Sequence, residues 1–357
     1  MSRELSMLAD TTTRIQKYKL SNHMKVLAFN LFFLFSVTVF LFSCKNKETQ
    51  YQIHTVQGTI NSSELGMTLT HEHVMSNFGK DISETSNYDS IKLFDQVIPY
   101  LQHLKSLGVN SIFDCTTAYF GRRVDLIKKI SEATDIQIIT NTGFYGAADD
   151  RYIPEFAYSV SVSSISEIWI DEFENGINGT NIKPGFIKLA FDGKTPSAID
   201  QKLFEAGILT HLSTGLTLAV HTGKNIEAMR LQLKLLNKYN VDPSAWVWTH
   251  AYKVEEDKLL IDIASKGAWV SLDGVNASNT NEYINRIKLF KKNDLLNRIL
   301  LSHDGNGFPR GGEIRKFEAI FETLIPEMLK NGFTEGDIHQ LMVRNPREAF
   351  NIRIRKK

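Results

Sequence analysis

Eight short apolar runs, each followed by a longer stretch, constrain the fold of this chain more than any other feature. The runs cover residues 67–73, 110–115, 136–142, 186–191, 216–222, 245–250, 268–273 and 299–304. Between them apolar residues recur at helical spacing, and Gly108, Gly267 and Gly332 stand where helices should end. Strands that alternate with helices predict a parallel sheet. Eight such units, with no glycine-rich dinucleotide motif after the first strand, predict an α/β protein built as a single (β/α)8 TIM barrel.

The barrel domain is expected to span residues 53–352. It begins with a short β extension over residues 53–60, before the first strand of the barrel. The longest interruption, residues 144–184, lies between the third and fourth strands, and its composition predicts a loop followed by an extra helix. Long loops at this end of a barrel usually shape the substrate pocket.

The N-terminal segment has the pattern of a bacterial lipoprotein signal. Residues 24–44 begin with Met-Lys and continue as an apolar run that ends at Cys44, the expected lipidation site. Residues 45–52 follow as a polar tether, so we expect an exported protein anchored by lipid on the periplasmic or cell-surface side. An uncleaved transmembrane anchor is the alternative, since the run is almost long enough to span a bilayer. Residues 1–23 precede an otherwise complete signal, which identifies Met24 as the predicted start and the first segment as a gene-model extension.

Composition excludes some classes of function. Hydrophobic residues make up 42% and charged residues 23% of the chain, the balance of a globular protein with a large core. The formal net charge of +1 gives no indication of a nucleic-acid partner. The 2 cysteines, Cys44 and Cys115, lie in different contexts and do not form a disulfide framework.

Side chains suited to metal binding end most of the apolar runs on their C-terminal side. They are His71, His73, Lys188, His221, His250 and Asp304. Because the carboxyl ends of barrel strands open on one face, residues far apart in sequence should converge there. One histidine at a strand end is more often a packed residue than a ligand, but an ordered set of six predicts a metal site.

The spacing of these residues indicates which side chains act together. Side chains alternate along a strand, so His71 and His73 point the same way and can chelate one ion, while Glu72 points away. A carboxylate such as Asp304 would complete that site, and His221 with His250 could hold a second ion. Lys188 does not fit this scheme, because an ammonium group cannot bind a metal and its ordinary pKa of about 10.4 keeps it charged.

The order of short motifs resembles that of the phosphotriesterase family in the amidohydrolase superfamily. The matching segments are residues 55–60, 65–73, 113–117, 121–124, 185–188, 221–223, 249–250 and 302–304. The resemblance covers nearly everything from residue 53 to residue 350. It implies that a metal-bridging hydroxide attacks an ester bond. Because members of this family are often dimers, it also implies a homodimer.

The resemblance also implies a role for the lysine. In the family it is carboxylated by CO2, and its carbamate bridges two divalent ions, expected here to be Zn, with Mn, Fe or Co as alternatives. Carried over residue by residue, the ligands are His71, His73 and Asp304 for the first ion, His221 and His250 for the second, and Lys188 as the bridge. Asp304 would also accept the proton of the hydroxide.

The substrate is predicted less directly. Efficient phosphotriesterases carry a histidine and an aspartate where this chain has Gly274 and Lys253, so the proton relay of those enzymes is missing. Lactonases resemble the chain better at residues 142–145, where they place a tyrosine, here Tyr145, facing the metals. Many lactonases, however, carry an arginine in place of Gly274. We expect hydrolysis of lactones or other carboxylic esters, with organophosphate triesters as the alternative.

A different class of function stays open, namely a surface lipoprotein that binds zinc without turnover. Several other residues have simpler interpretations than chemistry. We expect His54, His103, His211 and His339 to be surface or helix residues, and Cys115 to be a small core residue. His303 should support Asp304 from behind. Arg310 and Arg315, after the eighth strand, are either solvated or bind an anionic group of the substrate.

Overall fold

A computed structural model describes residues 51–78, 80, 88–310 and 312–357. The predicted signal, its lipidation site Cys44 and the predicted start Met24 lie outside the described residues. The chain divides into two units, residues 1–49 and 50–357, and every element described below belongs to the second. Within the described residues, no helix combines the length and apolar character needed to cross a membrane.

All eight predicted strands are present, and two of them are interrupted. The strands are β1 (Gln52–Thr55), β2 (Gly58–Asn61), β3 (Thr68–His73), β4 (Ser111–Asp114), β5 (Gln137–Ile139), β6 (Asn141–Thr142), β7 (Phe186–Ala190), β8 (Leu218–His221), β9 (Trp246–Thr249), β10 (Trp269–Leu272), β11 (Ile299–Leu301) and β12 (Gly305–Asn306). The predicted β extension is the antiparallel hairpin of β1 and β2, in which Ile53 pairs with Ile60.

From β3 onward, the strands pair in parallel and form two sheets. The larger has the order β11-β10-β9-β8-β7-β6, and the smaller has the order β12-β3-β4-β5. Two chain segments contribute to both sheets: β5 and β6 are separated only by Thr140, and β11 and β12 only by residues 302–304. The parallel arrangement places the carboxyl ends of the strands on the same side, as the sequence predicted.

Helices follow the strands and cover the sheets. The α-helices are α1 (Ser90–Ser106), α2 (Val124–Thr134), α3 (Phe156–Ser159), α4 (Val162–Asn175), α5 (Ala198–Thr214), α6 (Ile226–Lys238), α7 (Asp257–Ser265), α8 (Thr280–Lys292), α9 (Ile325–Lys330), α10 (Glu335–His339) and α11 (Asn345–Phe350). In α1, Leu93, Val97, Leu101 and Leu104 recur at helical spacing and are fully buried. The predicted extra helix of residues 144–184 is present as α3 and α4, and α4 packs on α5.

Expectations for the residues outside the ligand set that are named here are met, except at His54. Cys115 is buried, and the tryptophans at positions 246, 248 and 269 belong to the core. His103 and His339 lie on helices at the surface. His54, in contrast, is buried on β1, where its Nδ1 lies 3.1 Å from the carbonyl oxygen of Pro184, so the prediction of a surface or helix residue is wrong. His211 is a helix residue as expected, and it is fully buried, where its Nε2 accepts from the backbone N–H of Arg355 at 3.0 Å.

Candidate metal centre

His71 and His73, at the end of β3, are oriented by hydrogen bonds through Nδ1. His71 Nδ1 lies 2.5 Å from Asp273 Oδ2, and His73 Nδ1 lies 2.8 Å from the hydroxyl of Thr116. That hydroxyl donates to the carbonyl oxygen of Met75, so it accepts from His73. Both rings are therefore held as Nδ1–H tautomers, which leaves the lone pair of each Nε2 pointing toward the cavity.

Asp304 completes this group from the gap between β11 and β12. Its Oδ1 lies 3.6 Å from His71 Nε2 and 3.5 Å from His73 Nε2. Two ligands bound at about 2.1 Å to one tetrahedral ion are roughly 3.4 Å apart, so the two distances from Asp304 suit ligands of one metal ion. The structure thus brings together the three residues that the sequence assigned to the first ion, and they form one of two groups with metal-ligand spacing among the described residues.

The backbone of Asp304 is held from behind by Glu72. Asp304 has a φ of 55°, a left-handed conformation that costs a residue with a side chain roughly 1–3 kcal/mol. The buried Glu72 carboxylate accepts from the backbone N–H of His303 at 3.1 Å and of Gly305 at 2.6 Å, the residues on either side. It also accepts from the Ser302 hydroxyl at 2.8 Å. Glu72 points away from the cavity, as predicted, and holds the segment that carries Asp304.

His303 also supports the segment that carries Asp304, as the sequence suggested. Its Nδ1–H donates to Glu72 Oε1 at 2.8 Å, and its Nε2 accepts from the backbone N–H of Ile320 at 3.1 Å. The ring therefore ties the Asp304 segment to the helical turn that begins at Ile320. It lies on the far side of the backbone from the cavity and cannot contact a substrate there.

Lys188, in the middle of β7, is fully buried beside the histidines. Its Nζ lies 3.1 Å from His71 Nε2. Within the described part of the chain, no carboxylate oxygen lies within 4 Å of this ammonium group. A buried cation without an anionic partner is costly, whereas a negatively charged derivative of the same side chain would suit a position between metal ions.

His221 and His250 lie together at the ends of β8 and β9. Their ring centroids are 4.4 Å apart at an angle of 75°. His250 has a φ of 59°, and its backbone N–H donates to Asp273 Oδ1 at 2.9 Å. Among the described residues, no third histidine, cysteine or carboxylate lies at metal-ligand spacing from both His221 and His250. A second ion held by these two histidines would therefore need Lys188 or its derivative as a further ligand.

Asp273 connects the two halves of this group and was not predicted. One carboxylate oxygen contacts His71 Nδ1, and the other lies 3.2 Å from His250 Nδ1. These three residues also have metal-ligand spacing, but 2.5 Å is a hydrogen-bond length and is too short for two ligands of one ion. Asp273 is therefore a hydrogen-bond partner of the ligands. The sequence signal that could have identified it is a carboxylate directly after the seventh apolar run.

Burial keeps His71, His73 and His221 neutral. It lowers the pKa of His71 to about 3, an effect strengthened by Lys188 and partly opposed by Asp273. Burial also lowers the pKa of His73 and that of His221. Neutral imidazoles beside an ionised carboxylate are the protonation states that bind a divalent ion.

An open cavity of about 200 Å³ exposes these residues to solvent. Besides the histidines and Asp304, its walls are formed by Phe78, Phe120, Tyr145, Lys253 and Arg315. Tyr145 Oη lies 3.2 Å from His221 Nδ1, and burial raises the pKa of the phenol, so it stays a hydrogen-bond donor. Arg315 lines the cavity, whereas Arg310 donates to the side-chain oxygen of Asn77 at 3.0 Å.

Comparison with known proteins identifies the group to which this arrangement belongs. The profile of the phosphotriesterase family matches residues 51–350. The chain belongs to the phosphotriesterase family.

Relatives of known name share this family along almost their whole length. The phosphotriesterase homology protein of Escherichia coli is 28% identical over 80% of this chain and 98% of its own. The aryldialkylphosphatase of Saccharolobus solfataricus is 25% identical, over 82% and 97% respectively. The N-acetyltaurine hydrolase of Homo sapiens is 24% identical, over 85% and 98%. A phosphotriesterase structure from Mycobacterium tuberculosis has the same fold, with a TM-score of 0.73 and 23% identity over 84% and 98% of the two chains.

Family membership indicates a metal-dependent hydrolase. The surroundings of Gly274 show how one expected feature of the family is missing from this chain. Gly274 is the position at which the family resemblance implied a histidine or an arginine. A Cβ atom at Gly274 would lie 2.3 Å from the ring of Tyr252, so this ring occupies the space that a larger residue at position 274 would need. Tyr252 itself is anchored next to His250, with ring centroids 6.3 Å apart.

Proposed function

We propose that the chain is a metal-dependent hydrolase with two divalent ions, which cleaves lactones or other carboxylic esters. His71, His73 and Asp304 would hold one ion, His221 and His250 the other, and a carbamate on Lys188 would bridge them, at the mouth of a closed (β/α)8 barrel formed by the two sheets. The observation that carries this proposal is Lys188, which is fully buried at 3.1 Å from His71 Nε2 without a described carboxylate partner.

The chemistry divides between the ions and the side chains of the chain. Metal ions at this position supply an activated water at neutral pH and polarise the oxygen of the bond under attack. Asp304 Oδ1 contacts His71 and His73, whereas Oδ2 lies 3.4 Å from Arg315 Nη1 and would accept a proton from the attacking water. Tyr145 keeps its phenolic proton and lies on the cavity wall, so it can donate a hydrogen bond to the ring or carbonyl oxygen of a lactone.

Two features support esters of carboxylic acids over phosphate triesters. The relay histidine of the phosphotriesterases is absent, and the ring of Tyr252 closes the position that it would occupy. Tyr145 is fixed by stacking on Phe120 at a centroid distance of 4.9 Å, and its side chain lines the cavity. A rigid donor that serves an uncharged ester oxygen is the device expected for a lactone.

A substrate screen tests the proposal. Purified protein would be loaded with zinc and bicarbonate and assayed on sugar lactones, acyl-homoserine lactones, aryl esters and an organophosphate triester. We expect lactones or aryl esters to be cleaved with a higher kcat/KM than the triester. A preference for the triester, or fewer than about one bound ion per chain after loading, would contradict the proposal. Binding of zinc with no turnover of any ester would favour the non-catalytic alternative.

We also infer export and lipid anchoring through Cys44, which rest on the sequence of residues 24–44. Mass analysis of the mature N-terminus in a bacterial host provides the test. The expected product starts at a lipid-modified Cys44, and a mature chain that retains Ser2 or Arg3 would exclude both the cleavage and the start at Met24.

A further inference from the structure

Two cations lie on the cavity wall beside the proposed metal ligands. Lys253 ends the helical turn Ala251–Lys253 that follows His250, and Arg315 lies on the segment after β12. Both line the same cavity as the proposed ligands. Asp304 is the third charged residue among the described residues of the wall, so positive charge exceeds negative charge there even before any metal ion is bound.

The backbone places both cations firmly. The Lys253 N–H donates to the His250 carbonyl oxygen at 3.1 Å, one turn from a proposed ligand. Arg315 forms a two-way bridge with Asn306, because its N–H donates at 3.0 Å and its carbonyl oxygen accepts at 2.7 Å. Side chains on such fixed segments lose less conformational freedom when they bind a ligand than side chains on unsupported loops.

Neither cation is fully neutralised by the protein. In the described part of the chain, no carboxylate lies within 4 Å of the Lys253 ammonium group, whose nearest aromatic contact is the Tyr252 ring at 5.7 Å. Arg315 Nη1 lies 3.4 Å from Asp304 Oδ2, its one acidic partner among the described residues. Since Asp304 is also a proposed metal ligand, its charge would be shared with the ion and would satisfy Arg315 less.

The surroundings increase the effect of this charge. Phe78 and Phe120 contribute apolar walls, and the Arg315 guanidinium lies 5.7 Å from the centre of the Phe78 ring. Apolar walls around like charges focus the electrostatic field and raise the local concentration of an oppositely charged substrate. A guanidinium group also binds a carboxylate through paired hydrogen bonds, which adds orientation to attraction.

We propose that Lys253 and Arg315 form an anion subsite, and that the substrate is a lactone or ester carrying a carboxylate next to the bond that is cleaved. This inference rests on the proposed function and refines its substrate class. The carboxylate takes no part in bond breaking: water adds across the ester, and the acid and the alcohol leave with the anionic group unchanged.

The test compares two substrates that differ in charge alone. A γ-butyrolactone bearing a carboxylate and the same lactone bearing a carboxamide would be assayed with zinc-loaded protein. We expect kcat/KM to favour the carboxylate about tenfold or more, and the ratio to fall about tenfold in Arg315→Gln and in Lys253→Gln, the loss expected for a charged hydrogen bond. The preference should weaken at about 1 M salt, where screening acts within about 3 Å.

The matched control is Lys224→Gln, which removes an exposed lysine on the neighbouring loop after β8 that does not line the cavity. Its substrate ratio should stay that of the wild-type protein. Equal rates on both lactones, or a ratio that Arg315→Gln and Lys253→Gln leave unchanged, would overturn the subsite. If Arg315 only neutralised Asp304, the variant would slow both lactones equally, which also counts against the proposal.

A binding measurement separates the subsite from the proposed hydrolysis. Calorimetry with tetrahydrofuran carboxylate and tetrahydrofuran carboxamide, which cannot be hydrolysed, needs no turnover. We expect the carboxylate to bind more tightly by about tenfold and to lose this advantage in Arg315→Gln. If no lactone is cleaved but this binding pattern holds, the proposed function fails and the subsite stands. If lactones are cleaved and the two ethers bind alike, the reverse conclusion follows.

Discussion

The two ends of the parallel strands satisfy their buried charges in different ways. At the carboxyl end, carboxylates orient the proposed ligands: Asp273 contacts His71 and His250. At the amino end, Arg355 is also buried, yet within the described residues it has no acidic partner and donates to the hydroxyl of Thr217 and to the carbonyl oxygens of residues 348, 349 and 351. Burial lowers the pKa of this guanidinium to about 9.

The difference indicates what each end does. Side-chain carboxylates at the carboxyl end leave donor atoms free toward a cavity, and they hold two residues, His250 and Asp304, in left-handed conformations. Such conformations persist only where surrounding contacts over-determine them, and they concentrate at functional sites. At the amino end, the backbone carbonyl oxygens accept hydrogen bonds from Arg355, and these bonds hold the C-terminal segment in place. Substitutions at the two ends should therefore separate activity from stability.

The largest effect is expected from Lys188→Ala. Loss of the bridging group should remove at least one ion per chain and lower kcat/KM by roughly 10³-fold or more, because a two-ion centre supplies the attacking water. Metal analysis after loading with zinc and bicarbonate, together with lactone assays, measures both. His339→Gln, on a surface helix, is the control and should keep both ions. Near-normal turnover in Lys188→Ala would contradict the assignment and weaken the contrast between the two ends.

Sequence patterns located the proposed ligands because strand geometry is local. Alternation along β3 was enough to place His71 and His73 together, and the order of apolar runs placed Lys188 and Asp304 beside them. Asp273 and the partners of Glu72 could not be predicted in the same way. Glu72 contacts residues 230 or more positions away, and those contacts depend on the left-handed turn at Asp304, which hydrophobic patterning does not encode.

Arg355→Met should show the opposite behaviour to Lys188→Ala. Removal of the guanidinium leaves several buried carbonyl oxygens without donors, and the free energy of unfolding should fall by roughly 2–4 kcal/mol. Urea unfolding measures this change, while metal content and kcat/KM of the folded protein should stay within about twofold. Arg353→Met is the control, since Arg353 pairs with Glu348 at a partly exposed position and should cost less than about 1 kcal/mol. Loss of metal in Arg355→Met would show that the two ends are coupled.

Asp273→Asn tests how the carboxyl end holds both halves of the centre at once. The amide keeps the shape but replaces one of the two acceptor oxygens with an NH2 donor, so that either His71 or His250 loses its acceptor and zinc affinity should fall by about 10- to 100-fold. Competition with a chelator measures the affinity, and circular dichroism should show an unchanged fold. Asp262→Asn, an exposed change on α7, should leave the affinity unaltered. If the affinity for only one of the two ions fell, Asp273 would support one half of the centre and would not connect the two halves.

Glu72→Gln examines a carboxylate that never faces the cavity. The amide nitrogen would meet the N–H groups of His303 or Gly305 in place of an acceptor, so the turn at Asp304 should loosen. We expect kcat/KM to fall about tenfold, with a loss of unfolding free energy of about 1–2 kcal/mol. If Glu72 had a purely structural role, the free energy of unfolding would fall and kcat/KM would not. Glu64→Gln, at an exposed turn, is the matched control. A loss of kcat/KM in Glu72→Gln that exceeds the loss of unfolding free energy would show that Glu72 positions Asp304.

The smallest effect is a pH dependence at the amino end. Burial lowers the pKa of His211 to about 4, with a further contribution from Arg355, while its backbone contacts to Leu216 and Arg355 oppose the shift. The unfolded chain, with an ordinary pKa of about 6.5, binds a proton first, so stability is complete above that value and is lost as the pH falls toward 4. Between pH 7 and 5.5 this residue should cost about 1 kcal/mol. Urea unfolding of the wild-type protein and of His211→Gln at both pH values isolates it, because histidines elsewhere contribute equally to both proteins. A difference between the two proteins that does not change with pH would mean that His211 stabilises the amino end by packing alone.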